Sequence, residues 1–321
     1  MARRRATPRG TSSETCMPEP DICVVMNAGS GKGEDAERVR AAFAALDVPV
    51  QLELVEDGSR LTATARQAIE RGFGTVVAAG GDGTICAVAA AMAGSGKRMG
   101  ILPLGTFNYF ARSLLLPQEL EPAVEVVCAG RTAPIRVATV NDQLFLNNAS
   151  LGVYPAILET REEIYRRWGR SRALAYWSVL KVLARMGRPL KLRVRAGGEE
   201  RLVRSPLVFV VNNAFQLEQM NLDGADRIAA GDLVVFIAPN TGRLGMFRNA
   251  AALALGYASV DQNYLMMSGP HVEIDLPQGR RRVWHVARDG ERERMVPPFD
   301  LKAIEGAIEV TVPEHWDRDV R

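Results

Sequence analysis

The sequence predicts an α/β protein whose N-terminal domain contains a doubly wound parallel sheet and whose C-terminal domain is β-rich and sandwich-like. Up to about residue 130, short apolar runs alternate with segments of helical periodicity, which is typical of parallel strands joined by helices. From about residue 134 the apolar runs are short and are separated by turn residues, which is typical of antiparallel sheets. A length of 321 residues fits two such domains.

The first half supplies the elements of the parallel sheet in order. The predicted strands lie at 22–26, 50–55, 75–79 and 99–103, and the predicted helices at 34–46, 60–71 and 85–92. Acidic residues open the first helix, where they are favoured by the helix dipole. We place this domain at residues 22–133.

The second half is predicted to be a β-rich domain at residues 134–302, with a helical insertion at 155–187. Its predicted strands lie at 135–140, 144–149, 190–195, 206–212, 232–238, 271–275, 282–287 and 307–312. A segment at about 303–313 is expected to return to the first domain. Residues 1–21 are polar and contain no apolar run, so they are predicted to be a disordered tail rather than a signal peptide.

Cysteine usage and charge exclude several classes of protein. The four cysteines form no CxxC pair and the three histidines are scattered, so neither a zinc site nor a disulfide framework is expected. A net charge of +3 with 24% charged residues says little about partners on its own. No apolar run reaches about 18 residues, so no membrane span is expected. These features favour a cytoplasmic protein with free thiols.

Two turns that follow predicted strands are rich in glycine. The first is Asn27-Ala28-Gly29-Ser30-Gly31-Lys32-Gly33, and the second is Gly80-Gly81-Asp82-Gly83-Thr84. Glycine lets the backbone approach a phosphate, and the next helix points its N–H groups at it. Both turns fall at the sheet edge where parallel sheets bind ligands. The alternative is that the glycines only make tight turns. Neither turn is a Walker A loop or a GxGxxG fingerprint.

Asp82 is the informative residue of the second turn, because a carboxylate repels phosphate unless something compensates. Mg²⁺ could bridge the carboxylate and the phosphates, or the acid could accept the proton of an acceptor hydroxyl. Both roles indicate nucleoside triphosphate chemistry. A third interpretation is an aspartate that bonds the backbone of its own turn.

A third turn occupies residues 102–112, after the fourth predicted strand. Pro103 and Gly105 fix its shape, and Thr106 and Asn108 place polar groups at the same sheet edge. Spacing alone leaves two roles open for these polar groups, which are binding a nucleotide and capping the following helix.

Together with four later motifs, these three turns resemble the catalytic domain of the diacylglycerol kinase and sphingosine kinase superfamily, and the bacterial soluble lipid kinases most of all. The motifs are NAGSGKG at 27–33, GGDGT at 80–84, PLGTFNYFAR at 103–112, NNASLG at 147–152, VNN at 211–213, DGE at 289–291 and GAIEV at 306–310. GGDGT alone also resembles loops of NAD kinases and phosphofructokinases. The ordered set is specific and covers roughly residues 22–313.

The resemblance implies a two-domain fold of the NAD kinase and diacylglycerol kinase type, with ATP and Mg²⁺ in the cleft between the domains. The backbone of Gly80–Thr84 would hold the phosphates, with Asp82 near the metal or the acceptor hydroxyl. The segment Asn27–Gly31, with Thr106 and Asn108, would line the nucleotide site. The resemblance assigns Asp289 and Glu291 to the acidic pair of the DGE motif, with Glu291 as the proton acceptor. Without it, Asp289-Gly290-Glu291 predicts only a hairpin turn.

The sequence departs from the pattern of the family at several positions. Ala28 stands where proline is usual, Cys86-Ala87 where Asn-Glu is usual, and Tyr109 where Asp or His is usual, and no threonine matches near 55–57. The resemblance also implies a structural Mg²⁺ held by an aspartate of a DG-L motif. Ala230 occupies that position, so this site is expected only if Asp232 substitutes.

Residues 161–195 are strongly basic and aromatic. They contain eleven Lys and Arg and two Glu, a net charge of +9, with Trp168, Tyr176 and Trp177 interleaved. This composition is typical of a helix that lies on an anionic membrane surface. The alternatives are a solvated helix packed on the β-rich domain, and nucleic-acid binding, which is not expected because no recognition motif accompanies the charge.

The predicted function is that of an ATP-dependent lipid kinase, peripherally associated with the inner face of the membrane, with diacylglycerol as the acceptor. Ceramide, sphingosine and other polar lipids stay open, because the apolar positions of the β-rich domain do not discriminate between them. Two alternatives are a kinase of a soluble acceptor, such as an NAD kinase, and a non-catalytic lipid- or nucleotide-binding module. A homodimer is compatible with the sequence, but no feature indicates one.

Overall fold

A computed structural model describes residues 21–28, 33–129, 131–152, 189–242, 245, 264–278 and 282–317. The predicted helical insertion and all but the last residue of the predicted tail lie outside these residues. Within them, no helix has both the length and the apolar character that crossing a membrane requires.

The N-terminal half is a parallel sheet with helices on both faces. Its elements are β1 (Ile22–Asn27), α1 (Gly33–Ala44), β2 (Val50–Val55), a 3₁₀ turn (Gly58–Arg60), α2 (Leu61–Glu70), β3 (Thr75–Gly80), α3 (Asp82–Met92), β4 (Arg98–Pro103), α4 (Tyr109–Ser113) and α5 (Leu120–Ala129). The strands run in the order β2-β1-β3-β4, and all of these pairs are parallel. Every residue of β3 is buried, as expected for the centre of a sheet covered on both faces.

The two faces of this sheet carry different helices. Helices α2 and α3 pack on one face through residues such as Ala65 and Val88. Helices α1 and α5 pack on the other through Val39, Phe43 and Val124. Because the helices cover the two faces, the carboxyl ends of the strands and the turns that follow them form one open edge.

The C-terminal half is a two-layer β-structure. Its elements are β5 (Thr132–Val140), β6 (Gln143–Phe145), β7 (Asn148–Gly152), β8 (Leu190–Ala196), β9 (Glu199–Ser205), β10 (Leu207–Val211), α6 (Ala214–Gln219), α7 (Ala225–Ala229), β11 (Leu233–Ile237), β12 (Leu265–Gly269), β13 (His271–Asp275), β14 (Trp284–Arg288), β15 (Glu291–Met295) and β16 (Phe299–Thr311). An antiparallel sheet of order β12-β11-β10-β7-β14-β15 forms one layer. Its apolar face shares a core with β5, β8, β13 and β16, with Phe145, Leu192, Leu233 and Phe299 at the centre.

Strand β16 joins the two halves. It pairs with β4 in parallel and with β5 and β13 antiparallel, so one sheet of order β2-β1-β3-β4-β16-β13-β8-β9 runs through both halves. Its register shifts between Ile304 and Ile308, where Gly306 has a φ of 60°. Glycine adopts this conformation without strain, so the strand can bend as it passes from one half to the other.

The predicted fold class is confirmed, and the predicted strands and helices of the first half lie within two or three residues of the observed ones. Helix α5 and strands β9, β12 and β15 were not predicted. The strand predicted at 307–312 is the end of a longer one, because β16 already begins at Phe299.

Candidate active site

The second and third turns lie side by side at the open edge of the sheet. Strands β3 and β4 are paired so that Gly80 lies opposite Pro103. A Cβ atom added to Gly105 would come within 2.5 Å of the Cα atom of Gly81. The two backbones therefore touch, and glycine at position 105 is required by this contact rather than by a positive φ.

Helix α3 begins inside the second turn. Gly81 is the residue before the helix, and Asp82 is its first residue. A Cβ atom on Gly80 would lie 2.5 Å from Oγ1 of Thr84, so the threonine folds back over the turn. The first N–H groups of a helix have no partner within the helix, and at this position they are available to an anion.

A cleft of about 820 Å³ opens in front of this helix start, within the size range of small-molecule sites. Asn27, Gly81, Gly83 and Thr84 line it on the side of the parallel sheet, and Asp289 and Glu291 line it on the side of the β-rich half. The structure thus brings predicted residues from three distant parts of the chain to one cleft.

Asp82 accepts hydrogen bonds from both halves of the molecule. Its Oδ1 accepts hydrogen bonds from the Phe110 N–H at 3.3 Å and from Nδ2 of Asn147 at 3.5 Å. Burial raises the pKa of Asp82, and the Asp289 carboxylate raises it further, against the lowering effect of the Phe110 N–H. These partners belong to the third turn and to the β6–β7 connection, so the interpretation of Asp82 as bonding only its own turn is wrong.

Asp289 and Gly290 form the two-residue turn between β14 and β15. Both have positive φ, 45° and 86°, as a type I′ hairpin requires. The Asp289 carboxylate accepts backbone N–H groups of Leu146, Asn147 and Asn148 at 2.7, 2.8 and 3.0 Å. These three donors hold the carboxylate against the β6–β7 connection, so Asp289 fixes the position of the hairpin.

Glu291 is the exposed acid of the hairpin and faces the start of α3. A Cβ atom on Gly83 would lie 3.4 Å from Oε1 of Glu291, so the carboxylate reaches the first turn of the helix. The hairpin of the β-rich half thus brings Glu291 to the helix start, beside Gly83, the residue after Asp82. Of the two hairpin acids, Glu291 has the exposure that proton transfer needs.

A chain of buried amides supports Asp82 and was not predicted as functional. Nδ2 of Asn213 donates to Oδ1 of Asn147 at 2.7 Å, and Nδ2 of Asn147 donates to Asp82. Asn213 also caps α6 by accepting the Phe215 N–H at 3.0 Å. The paired asparagines at 147–148 and 212–213 were the available signal, but spacing does not show that they meet.

Two arginines line the cleft, and sequence reasoning missed both. Arg66 on α2 is exposed, and Arg288, next to the hairpin, has a side chain that is 13% exposed. Arg288 donates to the Leu144 carbonyl and to Glu293, which fix its position. Arg66 thus brings a guanidinium group to the cleft from the parallel-sheet half, and Arg288, paired with Glu293, brings one from the hairpin side.

Burial gives Cys86 a structural role. Its Sγ lies 3.7 Å from the Leu144 carbonyl oxygen and 3.7 Å from Nη1 of Arg288. Burial raises the pKa of the Cys86 thiol well above its ordinary value, and the nearby Asp289 carboxylate adds to this. The thiol stays protonated at neutral pH and is not a nucleophile.

The remaining predicted nucleotide residues fall into three groups. Ala28 follows Asn27 directly at the end of β1, while Gly29, Ser30 and Gly31 lie outside the described residues. Thr106 is exposed on the third turn. Asn108 is buried, and its Nδ2 donates to the carbonyls of Pro103 and Gly105 at 3.2 and 3.0 Å. It makes no side-chain cap to α4, so the capping alternative for Asn108 is wrong.

The turn after β2 also reaches the cleft. Gly58 and Ser59 line the cleft opposite Asn27, whose Nδ2 would lie 3.8 Å from a Cβ atom on Gly58. Oδ1 of Asp57 accepts the Ser59 N–H at 3.0 Å and fixes this turn. Ser59 therefore presents a hydroxyl where sequence matching had looked only at 55–57.

The cleft fits a nucleoside triphosphate with Mg²⁺. The helix start offers N–H donors, and Arg66 and Arg288 offer positive charge for the phosphates. Among the described residues no group of three His, Cys, Asp or Glu could enclose a metal by itself. Mg²⁺ usually takes one or two carboxylates and completes its shell with phosphate oxygens and water. Asp82, between the cleft-lining Gly81 and Gly83, is the carboxylate at the helix start that would hold it.

For the second Mg²⁺ implied by the resemblance, the part of the chain that the structure describes contains no group of three His, Cys, Asp or Glu around 229–233. Asp232, the only acid of the 229–233 stretch, accepts the Ser268 hydroxyl at 2.9 Å through Oδ2 and so bridges to β12. Ala230 supplies no oxygen from its side chain. The residues present do not fit that metal.

Comparison with known proteins bears out the resemblance. Residues 21–140 match the model of the diacylglycerol kinase catalytic domain. A protein of Cronobacter sakazakii named "Probable lipid kinase YegS-like" is 37% identical over 138 residues, which is 41% of this chain and 46% of that protein. A "Diacylglycerol kinase" of Bacillus subtilis is 28% identical over 243 residues, which is 74% of this chain and 77% of that protein. For the YegS-like relatives, the match covers only about half of their length.

Solved structures show the same fold. A crystal structure described as a diacylglycerol kinase of Bacillus anthracis superposes with a TM-score of 0.67 at 18% identity, covering 91% of this chain and 97% of that one. The likeness therefore extends through both halves of the molecule, beyond the residues that match the family model.

Proposed function

We propose that this chain, which contains a diacylglycerol kinase catalytic domain, is an ATP-dependent lipid kinase and that diacylglycerol is its acceptor. The observation that carries the proposal is the approach of Glu291, from the β14–β15 hairpin, to Gly83 in the first turn of α3, directly after Asp82. The names of the relatives support a lipid acceptor.

In this mechanism the backbone of Gly81–Thr84 binds the phosphates, and Arg66 and Arg288 neutralise their charge. Mg²⁺, bound through Asp82, would add charge neutralisation at the phosphates. Glu291 accepts the proton of the acceptor hydroxyl as its oxygen attacks the γ-phosphorus. The bond from this phosphorus to the β–γ bridging oxygen breaks, which yields the phosphorylated lipid and ADP. Asp289 acts as a positioning residue for Glu291.

The basic segment at 161–195 is proposed to hold the enzyme at an anionic membrane surface, where its acceptor resides. Most of this segment lies outside the described residues. Its last part is strand β8, on which Lys191, Arg193 and Arg195 alternate with buried apolar residues and so share one face.

The proposal is tested with labelled ATP, Mg²⁺ and mixed micelles that contain diacylglycerol, ceramide or sphingosine in separate reactions. We expect transfer of label to diacylglycerol, and its loss in the Asp82→Asn variant. ATP binding without transfer to any lipid would indicate a non-catalytic module instead. Turnover of NAD without detergent would indicate a soluble acceptor.

A further inference from the structure

Three aromatic rings stand in a row beside Asp82. The rings of Phe107 and Tyr109 are stacked, with centroids 5.6 Å apart and planes 2° from parallel. The Tyr109 ring lies 6.5 Å from that of Phe215, tilted by 55°. Phe107 and Tyr109 belong to the third turn and the start of α4, whereas Phe215 belongs to α6. This aromatic row therefore crosses from the parallel-sheet half to the β-rich half.

The outermost ring is held in an exposed position by the third turn. Phe107 is 56% exposed, and Tyr109 and Phe215 are partly buried behind it. Nε of Arg112 donates to the Phe107 carbonyl at 3.0 Å, and the Asn108 side chain ties the preceding turn together. An aromatic ring fixed at the surface of a catalytic edge offers a preformed apolar contact for a ligand.

The aromatic row is linked to the cleft through Asp82, whose neighbours Gly81 and Gly83 line the cleft. The N–H of Phe110, next to Tyr109, donates to Asp82. Among the described residues that line the cleft, none belongs to the aromatic row.

We propose that the aromatic row binds the apolar part of the lipid acceptor next to the hydroxyl that is phosphorylated, and so determines specificity for the acceptor. The inference rests on the proposed function. In-line transfer needs the acceptor to approach the γ-phosphorus from the side away from the leaving ADP. The cleft, with its helix start and arginines, suits the nucleotide. The exposed aromatic surface suits a glycerol ester and the first part of its acyl chains, and Arg112 beside it is exposed to lipid headgroups.

The test measures kcat and KM for ATP and for diacylglycerol in the wild type and in two variants, Phe107→Ala and Phe107→Trp. Leu202→Ala is the matched control, because Leu202 is 71% exposed on β9, away from the cleft. Diacylglycerol is supplied in two forms, as the long-chain lipid in mixed micelles and as monomeric dihexanoylglycerol. Thermal melts confirm that each variant is folded.

We expect Phe107→Ala to raise KM for both forms of the acceptor about tenfold, with KM for ATP unchanged. The reason is that about half of the ring surface is exposed and available to the acceptor, and the substitution removes this apolar contact. Phe107→Trp should restore binding, and Leu202→Ala should match the wild type. If KM for ATP rises instead, the row contacts the nucleotide and the proposal is overturned. An effect seen only with micelles would assign the row to membrane docking and would also overturn it. A wild type that phosphorylates no lipid removes the proposed function itself, which distinguishes the two failures.

Discussion

The β3–α3 turn and the β14–β15 hairpin face each other across the cleft and contribute opposite chemistry. The turn offers backbone N–H groups at a helix start, which favour anions, while the hairpin offers the carboxylate of Glu291. Each is also held by other parts of the chain: Asp82 by Phe110 and Asn147, and Asp289 by the β6–β7 connection. In the proposed mechanism, the N–H groups that bind the phosphates and the carboxylate that accepts the hydroxyl proton come from separate halves. Activity therefore depends on how firmly the two halves are joined.

Asp82→Asn should have the largest effect on this arrangement. The substitution keeps the size of the side chain but removes the charge that binds Mg²⁺ in the proposed mechanism. We expect kcat to fall roughly 10²–10⁴-fold. Steady-state kinetics with labelled ATP checks this, with Asp226→Asn, an exposed acid on α7, as the matched control. Full activity of Asp82→Asn would contradict the role given to the turn.

Glu291→Gln tests the opposite side of the cleft. Loss of the proton acceptor should lower kcat on the order of 10²-fold, with little change in Tm because the side chain is exposed. Glu218→Gln, an exposed acid on α6, should leave kcat unchanged. Unchanged kcat in the Glu291→Gln variant would contradict its role as the proton acceptor.

Asp289→Asn should separate positioning from proton transfer. An amide places an NH₂ group where three backbone N–H groups need an acceptor, so at least one buried donor is left unpaired. We expect a loss of about 1–3 kcal/mol in the free energy of unfolding, measured by urea denaturation, together with a moderate fall in kcat. Unchanged stability would show that the hairpin is fixed by other contacts.

Gly83→Ala probes the point where the turn and the hairpin approach each other. The added Cβ atom would lie 3.4 Å from Oε1 of Glu291, at the lower limit of ordinary contact. We expect kcat to fall about threefold, while alanine in α3 stabilises the helix by up to about 1 kcal/mol. A variant that is both more stable and fully active would mean that Glu291 is not needed close to the helix.

The smallest expected effect is a dependence of stability on pH at Asp82. Burial and Asp289 raise its folded-state pKa, so the ionised carboxylate costs folding free energy, and that cost grows as pH rises above about 4. Asp82→Asn should therefore raise Tm slightly at pH 7, and the gain should vanish near pH 3, where the carboxyl is protonated in both states. Melting curves across this range provide the check. A gain that persists at pH 3 would need another explanation.

Local pattern predicted the turn well and the hairpin poorly, for a physical reason. The apolar run at 75–79 and the glycines after it predict β3 and the glycine-rich turn at 80–84 to within a few residues of their observed positions. The hairpin at 289–291 is also readable as a turn, because Asp-Gly favours type I′ geometry. The catalytic role proposed for it rests on the resemblance, since nothing local shows that Glu291 faces Gly83, more than 200 residues earlier.

The residues that sequence reasoning missed are those whose role is set by contacts between distant segments. Arg66 is one of many exposed arginines until α2 is packed beside α3. The chain Asn213–Asn147–Asp82 exists only after β7 and β10 pair. Ser59 was not predicted, because it lies two residues beyond 55–57, where the threonine was expected. Periodicity and turn chemistry act over a few residues, whereas these contacts depend on the sheet topology.

Strand β16 has a consequence for the order of folding. Until Phe299–Thr311 has been synthesised, β4 has no partner on one side, and the parallel sheet ends in an open edge. The N-terminal half is thus unable to complete its sheet while it emerges from the ribosome. It must wait for a strand encoded some 200 residues later, and during that interval its unpaired edge is exposed to aggregation and to chaperones.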